Sequence, residues 1–271
     1  MDTQYKNKLL DMLNYLDKTC TDNHLRYYAI GGTFLGAIRH NGFIPWDNDI
    51  DVAMPREDYN KFIEIVNSQN GKYVVETPQS PCQEYLYSVA KLYDTTTTLV
   101  ENKKTRIKRG IFVDVFPMDG IADSALDIRK NYKKINFYNK LFAVRTCAVR
   151  EQRQWWKNAA IIAGNVIPEI ILNTKKLLIK LDKMCAQRSF DSSSFVGVLL
   201  TQYGTKYIMP RTLFDEVQRY SFENTSILGV KDYNTYLTAL FGNWQQLPPE
   251  EKRVEGHDFI QLDLNHSYLD A

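Results

Sequence analysis

The 271-residue chain is 44% hydrophobic and 13% aromatic, enough apolar material for a real core, which argues against a disordered protein. Thirty-four Lys and Arg against 32 Asp and Glu leave a net charge of +2 with no long basic run. That argues against a large nucleic-acid footprint and leaves room only for a local positive pocket.

The first predicted element is an amphipathic helix over Asp2 to Asn23, with Leu9, Leu13, Leu16 and Cys20 at spacings of three and four. Arg26 to Ile30 reads as a short buried strand, broken by Gly31-Gly32, with Thr33 placed to cap a helix over Phe34 to Arg39. Two glycines at a helix N-terminus let backbone N–H groups approach an anion closely, although the same pair also serves as plain strand-to-helix punctuation. The loop His40 to Asn48 holds Phe43, Ile44, Pro45 and Trp46, too apolar for a casual surface loop, and is expected to wall a pocket. A strand over Asp49 to Met54 follows, stopped by Pro55. Its alternation with Ile50 and Val52 sends the Asp49 and Asp51 carboxylates out of one face. A phosphate cradle followed by a carboxylate pair is what a metal-dependent enzyme acting on a nucleotide phosphate needs.

Arg56 to Ser68 reads as a helix with Tyr59, Phe62, Ile63 and Val66 inward, and Lys72 to Glu76 as a short strand. Tyr85 to Asp94 alternates, placing Lys91 on a largely apolar face, where it either snorkels to the rim or reaches a phosphate; Thr97 to Asn102 is its expected hairpin partner. Ile111 to Met118 is hydrophobic on both faces, hence a central strand, yet carries Asp114 in its middle. A carboxylate there costs several kcal/mol unless paired or metal-bound. Metal or base work beside Asp49 and Asp51 is favoured, with a structural salt bridge to Lys91 as the alternative.

Beyond Asp119 the composition turns helical and charged. Asp123 to Gln152 is one predicted helix. Trp155 to Leu181 contains an apolar stretch from Ala159 to Leu172, read as a buried core helix, with contact to a membrane surface as the minority reading. Strand pieces are expected near Tyr207 and Phe222, and a helix over Asp232 to Phe241 ending at Gly242. Arg253 and His257 share a face if their segment is helical. The four cysteines, Cys20, Cys82, Cys147 and Cys185, form no CxxC pair, which favours reduced thiols over a zinc site or a disulfide framework. No secretory signal and no run of about 18 apolar residues is visible, so the expected location is cytoplasmic, at most at the inner face of the membrane. The alternation of strands and helices predicts a mixed α/β region, with length enough for one large domain or a core with a dependent lobe.

Several motifs together resemble the LicD family, whose relatives include the fukutin-type enzymes. They are Gly31-Gly32-Thr33, Leu35-Gly36, Arg39-His40, Gly42 to Asp47, Asp49-Ile50-Asp51, Val89 to Leu92, Phe112 to Asp119, and Pro248 to Arg253 with His257. The resemblance implies an α+β fold: a nucleotidyltransferase-like mixed sheet with flanking helices over residues 1–122, and a mostly helical lobe over 123–271 whose C-terminal segment packs back on the core. It implies transfer of phosphocholine from CDP-choline, or of a polyol phosphate from CDP-ribitol or CDP-glycerol. The acceptor would be a hydroxyl of a teichoic acid, lipopolysaccharide, capsule or lipid-linked glycan, with CMP released. Asp49 and Asp51 match the family's metal-binding aspartates and Asp114 its third carboxylate, for Mg²⁺ with Mn²⁺ as the alternative. Gly31, Gly32, Thr33, Arg39, Lys91, Arg253 and His257 are the expected phosphate and nucleotide contacts, with Trp46 on the pocket wall; Trp46, Tyr27, Tyr87, Tyr93, Trp155 and Trp156 are either aromatic faces for a quaternary ammonium or simply core. Asn48 departs from the family's frequent Asp, and the fukutin-type zinc cysteines are not recognisable. True nucleotidyl transfer releasing pyrophosphate, and a silent binding protein, are the rival readings.

Overall fold

The computed structural model describes residues 2–102, 104, 106–147, 149, 154–201, 203–253 and 258–270. Helix α1 (Thr3–Asp22) is capped by Asp2, whose carboxylate accepts from the Gln4 and Tyr5 N–H groups, and it buries the leucine stripe its spacing predicts. The chain then runs through β1 (Tyr28–Ala29), α2 (Gly31–His40), β2 (Asp51–Pro55), α3 (Arg56–Ser68), β3 (Tyr73–Glu76) and β4 (Ala90–Asp94). Next come β5 (Thr98–Glu101), β6 (Lys108–Arg109), β7 (Phe112–Ala122), α4 (Ala125–Thr146), α5 (Trp155–Val166) and α6 (Thr174–Cys185). The last third is β8 (Phe195–Gly197), β9 (Ile208–Pro210), β10 (Val217–Phe222), β11 (Thr225–Val230), α7 (Tyr233–Phe241) and β12 (Phe259–Asp263).

The fold is α+β. Its main sheet has the order β1-β2-β7-β4-β3, with β8 on the far half of β7 and β9 beyond it. Only β2 and β7 run parallel in that sheet; its other pairs are antiparallel. Strand β7 is central because it is apolar on both faces, as its sequence requires. Pro117 is tolerated within it: pairing with β4 ends at Val115 and pairing with β8 begins at Asp119, so no neighbour on that side needs its missing N–H. The principal core lies under this sheet and draws in α1, α3, β10, β11 and α7, while a second, smaller core joins the end of β7 to α4 and α6. Arg56, at the start of α3, ties the two together with bonds to Asp119 on β7 (2.7 and 2.8 Å) and to Asp182 on α6 (2.9 Å).

Three expectations need correction. Strand β4 begins at Ala90 rather than Tyr85, because the preceding Pro-rich segment continues as turns. Strand β5 does not form a hairpin with β4 but joins β6 and β12 in a separate sheet, a pairing with a strand far along the chain. The apolar run after Trp155 is not a buried core helix: α5 ends at Val166 and buries only Ile161 and Gly164. All four cysteines are free thiols.

Candidate functional site

The register of the main sheet sets the site. Asp51 on β2 is directly opposite Asp114 on β7, Asp114 is opposite Lys91 on β4, and Lys91 is opposite Glu76 on β3. Residues in direct register on neighbouring strands share a face, so four ionisable side chains form one row across the sheet. Lys91 is 1% exposed, its Nζ 2.7 Å from Asp114 Oδ1 and stacked over the rings of Phe112 and Tyr87 at 3.2 and 4.6 Å. Its ammonium does not snorkel to a rim; it pairs with Asp114. The salt-bridge alternative for Asp114 is therefore present, and it coexists with a place beside Asp51.

Asp49 lies in the loop before β2, two residues ahead of the strand that was expected to begin with it. Its charge, with those of Glu101 and Asp114, bears on the buried hydroxyl of Tyr5 on α1. Burial first, and then these carboxylates, hold that phenol far above its usual range, so it stays protonated and donates to the Asn48 carbonyl at 3.0 Å. Among the described residues no three His, Cys, Asp or Glu side chains stand close enough together to hold a metal ion. The adjacent Asp51 and Asp114 do fit Mg²⁺ by donor type, since that cation is commonly held by one or two carboxylates, with substrate phosphate oxygens and water completing its shell.

Helix α2 reaches the row with its N-terminus. It begins at Gly31, which has φ of +55°, a conformation that glycine adopts without strain. A Cβ here would meet the Tyr207 hydroxyl at 3.0 Å and Asp51 Oδ2 at 3.5 Å; one on Gly32 would lie 2.4 Å from Asp47 Oδ2. Two carboxylates thus already stand against the glycine pair, at the positive end of the helix dipole. Thr33 does not cap α2, whose N-cap is Ile30. Its hydroxyl oxygen instead accepts from the Asp51 N–H at 2.8 Å, clamping the helix to the strand that bears the carboxylate. Tyr207 and Tyr236 close this side. Burial chiefly, with the Asp51 charge adding to it, keeps both phenols protonated.

Beside Gly32 opens a cleft of about 490 Å³ lined by Arg39, Trp46, Tyr203, Phe241 and Trp244, by the amides of Asn243 and Gln246, and by Leu35, Ile44, Leu247, Pro248 and Pro249. Arg39 on α2 donates through Nη1 to the Trp244 carbonyl (2.7 Å) and through Nε to His40 Nε2 (3.0 Å). Arg253 follows a short 3₁₀ turn, Glu250–Lys252. It donates to the Pro248 carbonyl at 2.9 Å, and its guanidinium lies 5.5 Å from the centre of the Trp46 ring. His257 lies outside the described residues. Of the aromatic residues expected here, only Trp46 lines the cleft. Tyr27 is buried against Asp17, Tyr87 bonds Glu101, Tyr93 is buried in the core, and Trp155 and Trp156 are exposed on α5. The cleft takes Tyr203, Phe241 and Trp244 instead. They lie 157 to 198 positions beyond Trp46, and the one local sign was the run Phe241-Gly-Asn-Trp244 at a helix C-terminus.

A strand-borne carboxylate pair, a glycine-started helix whose N-terminus reaches it and, bordering Gly32, a cleft carrying Arg39 and four aromatic rings are parts suited to phosphoryl transfer. Residues 24–155 match the family model described as LicD/FKTN/FKRP, nucleotidyltransferase domain. The chain is 31% identical, over 92% of both chains, to the lipopolysaccharide cholinephosphotransferase LicD of Haemophilus influenzae. It is 38% identical to an uncharacterized protein of Rickettsia prowazekii over 46% of each chain. It is also 38% identical to the human ribitol 5-phosphate transferase FKRP, over 19% of this chain and 10% of that one. The chain belongs to the LicD family.

Proposed function

We propose that the protein transfers phosphocholine from CDP-choline to a hydroxyl of a cell-surface glycan and releases CMP. The observation that carries the reading is the aromatic cleft that opens at Gly32, one residue from the glycine against which Asp51 stands. A quaternary ammonium cannot donate a hydrogen bond, and it is held by aromatic faces worth about 2 kcal/mol when desolvated. Trp46, Tyr203, Phe241 and Trp244 supply such faces next to Gly32. Asn243 and Gln246 also line the cleft and are able to read the hydroxyls of a ribitol or glycerol group, so it is the four aromatic faces, not a lack of polar side chains, that favour choline.

The reaction is an in-line displacement. The acceptor oxygen bonds to the phosphorus that carries choline, the bond from that phosphorus to the bridging oxygen breaks, and CMP leaves with the electron pair. Asp51 and Asp114 would hold Mg²⁺, which when bound neutralises diphosphate charge and lowers the pKa of a coordinated hydroxyl. Asp114 is also the candidate to accept the hydroxyl proton, and Lys91 is its positioning residue. Arg39 and Arg253 would offset negative charge on the donor, and the first N–H groups of α2 would donate to its phosphate oxygens.

The test is incubation with CDP-choline, CDP-ribitol and CDP-glycerol, each with Mg²⁺ and a glycan acceptor, scoring CMP. Release from CDP-choline in preference to the others is expected. Pyrophosphate from CTP would assign nucleotidyl transfer, and no CMP from any donor would refute the reading.

A further inference from the structure

Helix α5 rests on α4 by a narrow seam. Gly164 packs so close to Val144 that a Cβ would lie within bonding contact of its methyl, and Arg145 Nη1 donates to the Gly164 and Ile167 carbonyls at 2.6 Å. Among the described residues, most of the remaining surface of α5 and of the turn after it is exposed. Trp155, Val166 and Ile170 are 80%, 76% and 94% exposed, and Trp156, Ile162 and Ile171 are each more than half exposed. Six large apolar side chains crowded into one short stretch exceed what a monomer's surface ordinarily shows.

The charge around this face is one-sided. Residues 125–185 hold thirteen Lys and Arg against four Asp and Glu, whereas the rest of the chain holds 21 against 28. Lys157 lies on α5 itself, with its Nζ 5.2 Å from the centre of the Trp156 ring, and Lys176 and Lys180 share a groove with Ile170 and Ile171. Lys133, Lys134 and Lys140 are exposed on α4, the helix beneath. No helix among the described residues is long and apolar enough to cross a membrane.

We propose that the outer face of α5 and the turn through Ile171 docks on the headgroup zone of an anionic phospholipid bilayer. An interfacial helix inserts its apolar face shallowly, with Trp at the boundary and Lys toward lipid phosphates, and that pairing is what residues 155–180 present. The same charge disfavours a second copy as the occupant, because two surfaces carrying this surplus repel. The proposal is independent of which donor the active site uses.

Flotation of the full chain with phosphatidylcholine vesicles, and with phosphatidylcholine–phosphatidylglycerol vesicles, tests it. Binding to the mixed vesicles, weakened by salt and accompanied by a blue shift of tryptophan fluorescence, is expected. The variant W155S/W156S/I170S is expected to lose that binding by about tenfold or more while keeping its circular dichroism and its CMP release from a soluble donor. Lys157→Glu, which removes no apolar surface, is expected to weaken binding to the anionic vesicles only. Absence of binding to the mixed vesicles, binding unchanged in the triple variant, or a concentration-dependent dimer that dissociates in that variant would each overturn the proposal.

Discussion

At the level of single residues, Asp51 and His40 give the sharpest expectations. Asp51 is only partly buried and faces the proposed phosphate position, so Asp51→Asn is expected to lower the rate of CMP release about a hundredfold or more at an unchanged urea midpoint. His40 accepts from Arg39 Nε through its neutral ring. Burial, and then the Arg39 charge, hold its pKa below the usual 6.5. The unfolded chain therefore takes up a proton near 6.5 before the folded one does. The stability contributed by neutral His40 is complete above that pH and is lost as pH falls through the depressed folded value. Replacing His40 with Asn should flatten the decline in unfolding free energy below about pH 6.5, measured by urea titration across that range. The glycine pair, Asp51 and Asp114 were visible in the sequence because each breaks a local rule, a turn residue before a helix or a charge in an apolar strand. Tyr5, Tyr207 and Tyr236 break none, so nothing local marked them as neighbours of the carboxylates.

Among the elements, the junction of α3, β7 and α6 carries a buried ion network rather than apolar contact alone. Arg56 faces two buried carboxylates, and burial raises the Asp119 pKa above its usual value even with Arg56 opposing the shift. That raised value means Asp119 contributes most below the ordinary carboxylate pKa, and its contribution is lost as pH rises through the folded value. Arg56→Met strands both carboxylates and is expected to cost about 3 kcal/mol near neutral pH, read from the urea midpoint. The penalty should shrink in acid, where Asp119 can take up a proton. Helix α3 was legible from its period, residue for residue. The exposure of α5 was not, because an apolar helix face in a sequence marks a surface to be covered without saying whether the core covers it, and here Trp155, Trp156, Ile162 and Val166 point outward.

For the whole molecule, the proposed choice between donors belongs to the cleft. Its Trp244 carbonyl, not its indole, accepts from Arg39, so Trp244→Ala keeps that bond and removes one aromatic wall. The KM for CDP-choline is expected to rise about 30-fold, the equivalent of one desolvated cation–π contact, with little change for CDP-ribitol in the same CMP assay. This wall could not be read from sequence, since its residues meet Trp46 only through the return of the C-terminal third onto the main core.

The parallel pairing of β2 with β7 also governs when the protein can become active. Parallel neighbours cannot be joined by a hairpin, so α3, β3, β4, β5 and β6 must all be threaded between Asp51 and Asp114 before the two carboxylates meet. Loop closure on that scale is slow, and the cleft waits longer still, for α7 and the segment after it. A nascent chain that has exposed Asp51 but not β7 has no site, and one that has β7 but not Trp244 lacks a wall of the cleft. Catalysis is therefore acquired last. On refolding from urea, CMP release should return with the slowest phase of tryptophan fluorescence, never ahead of it.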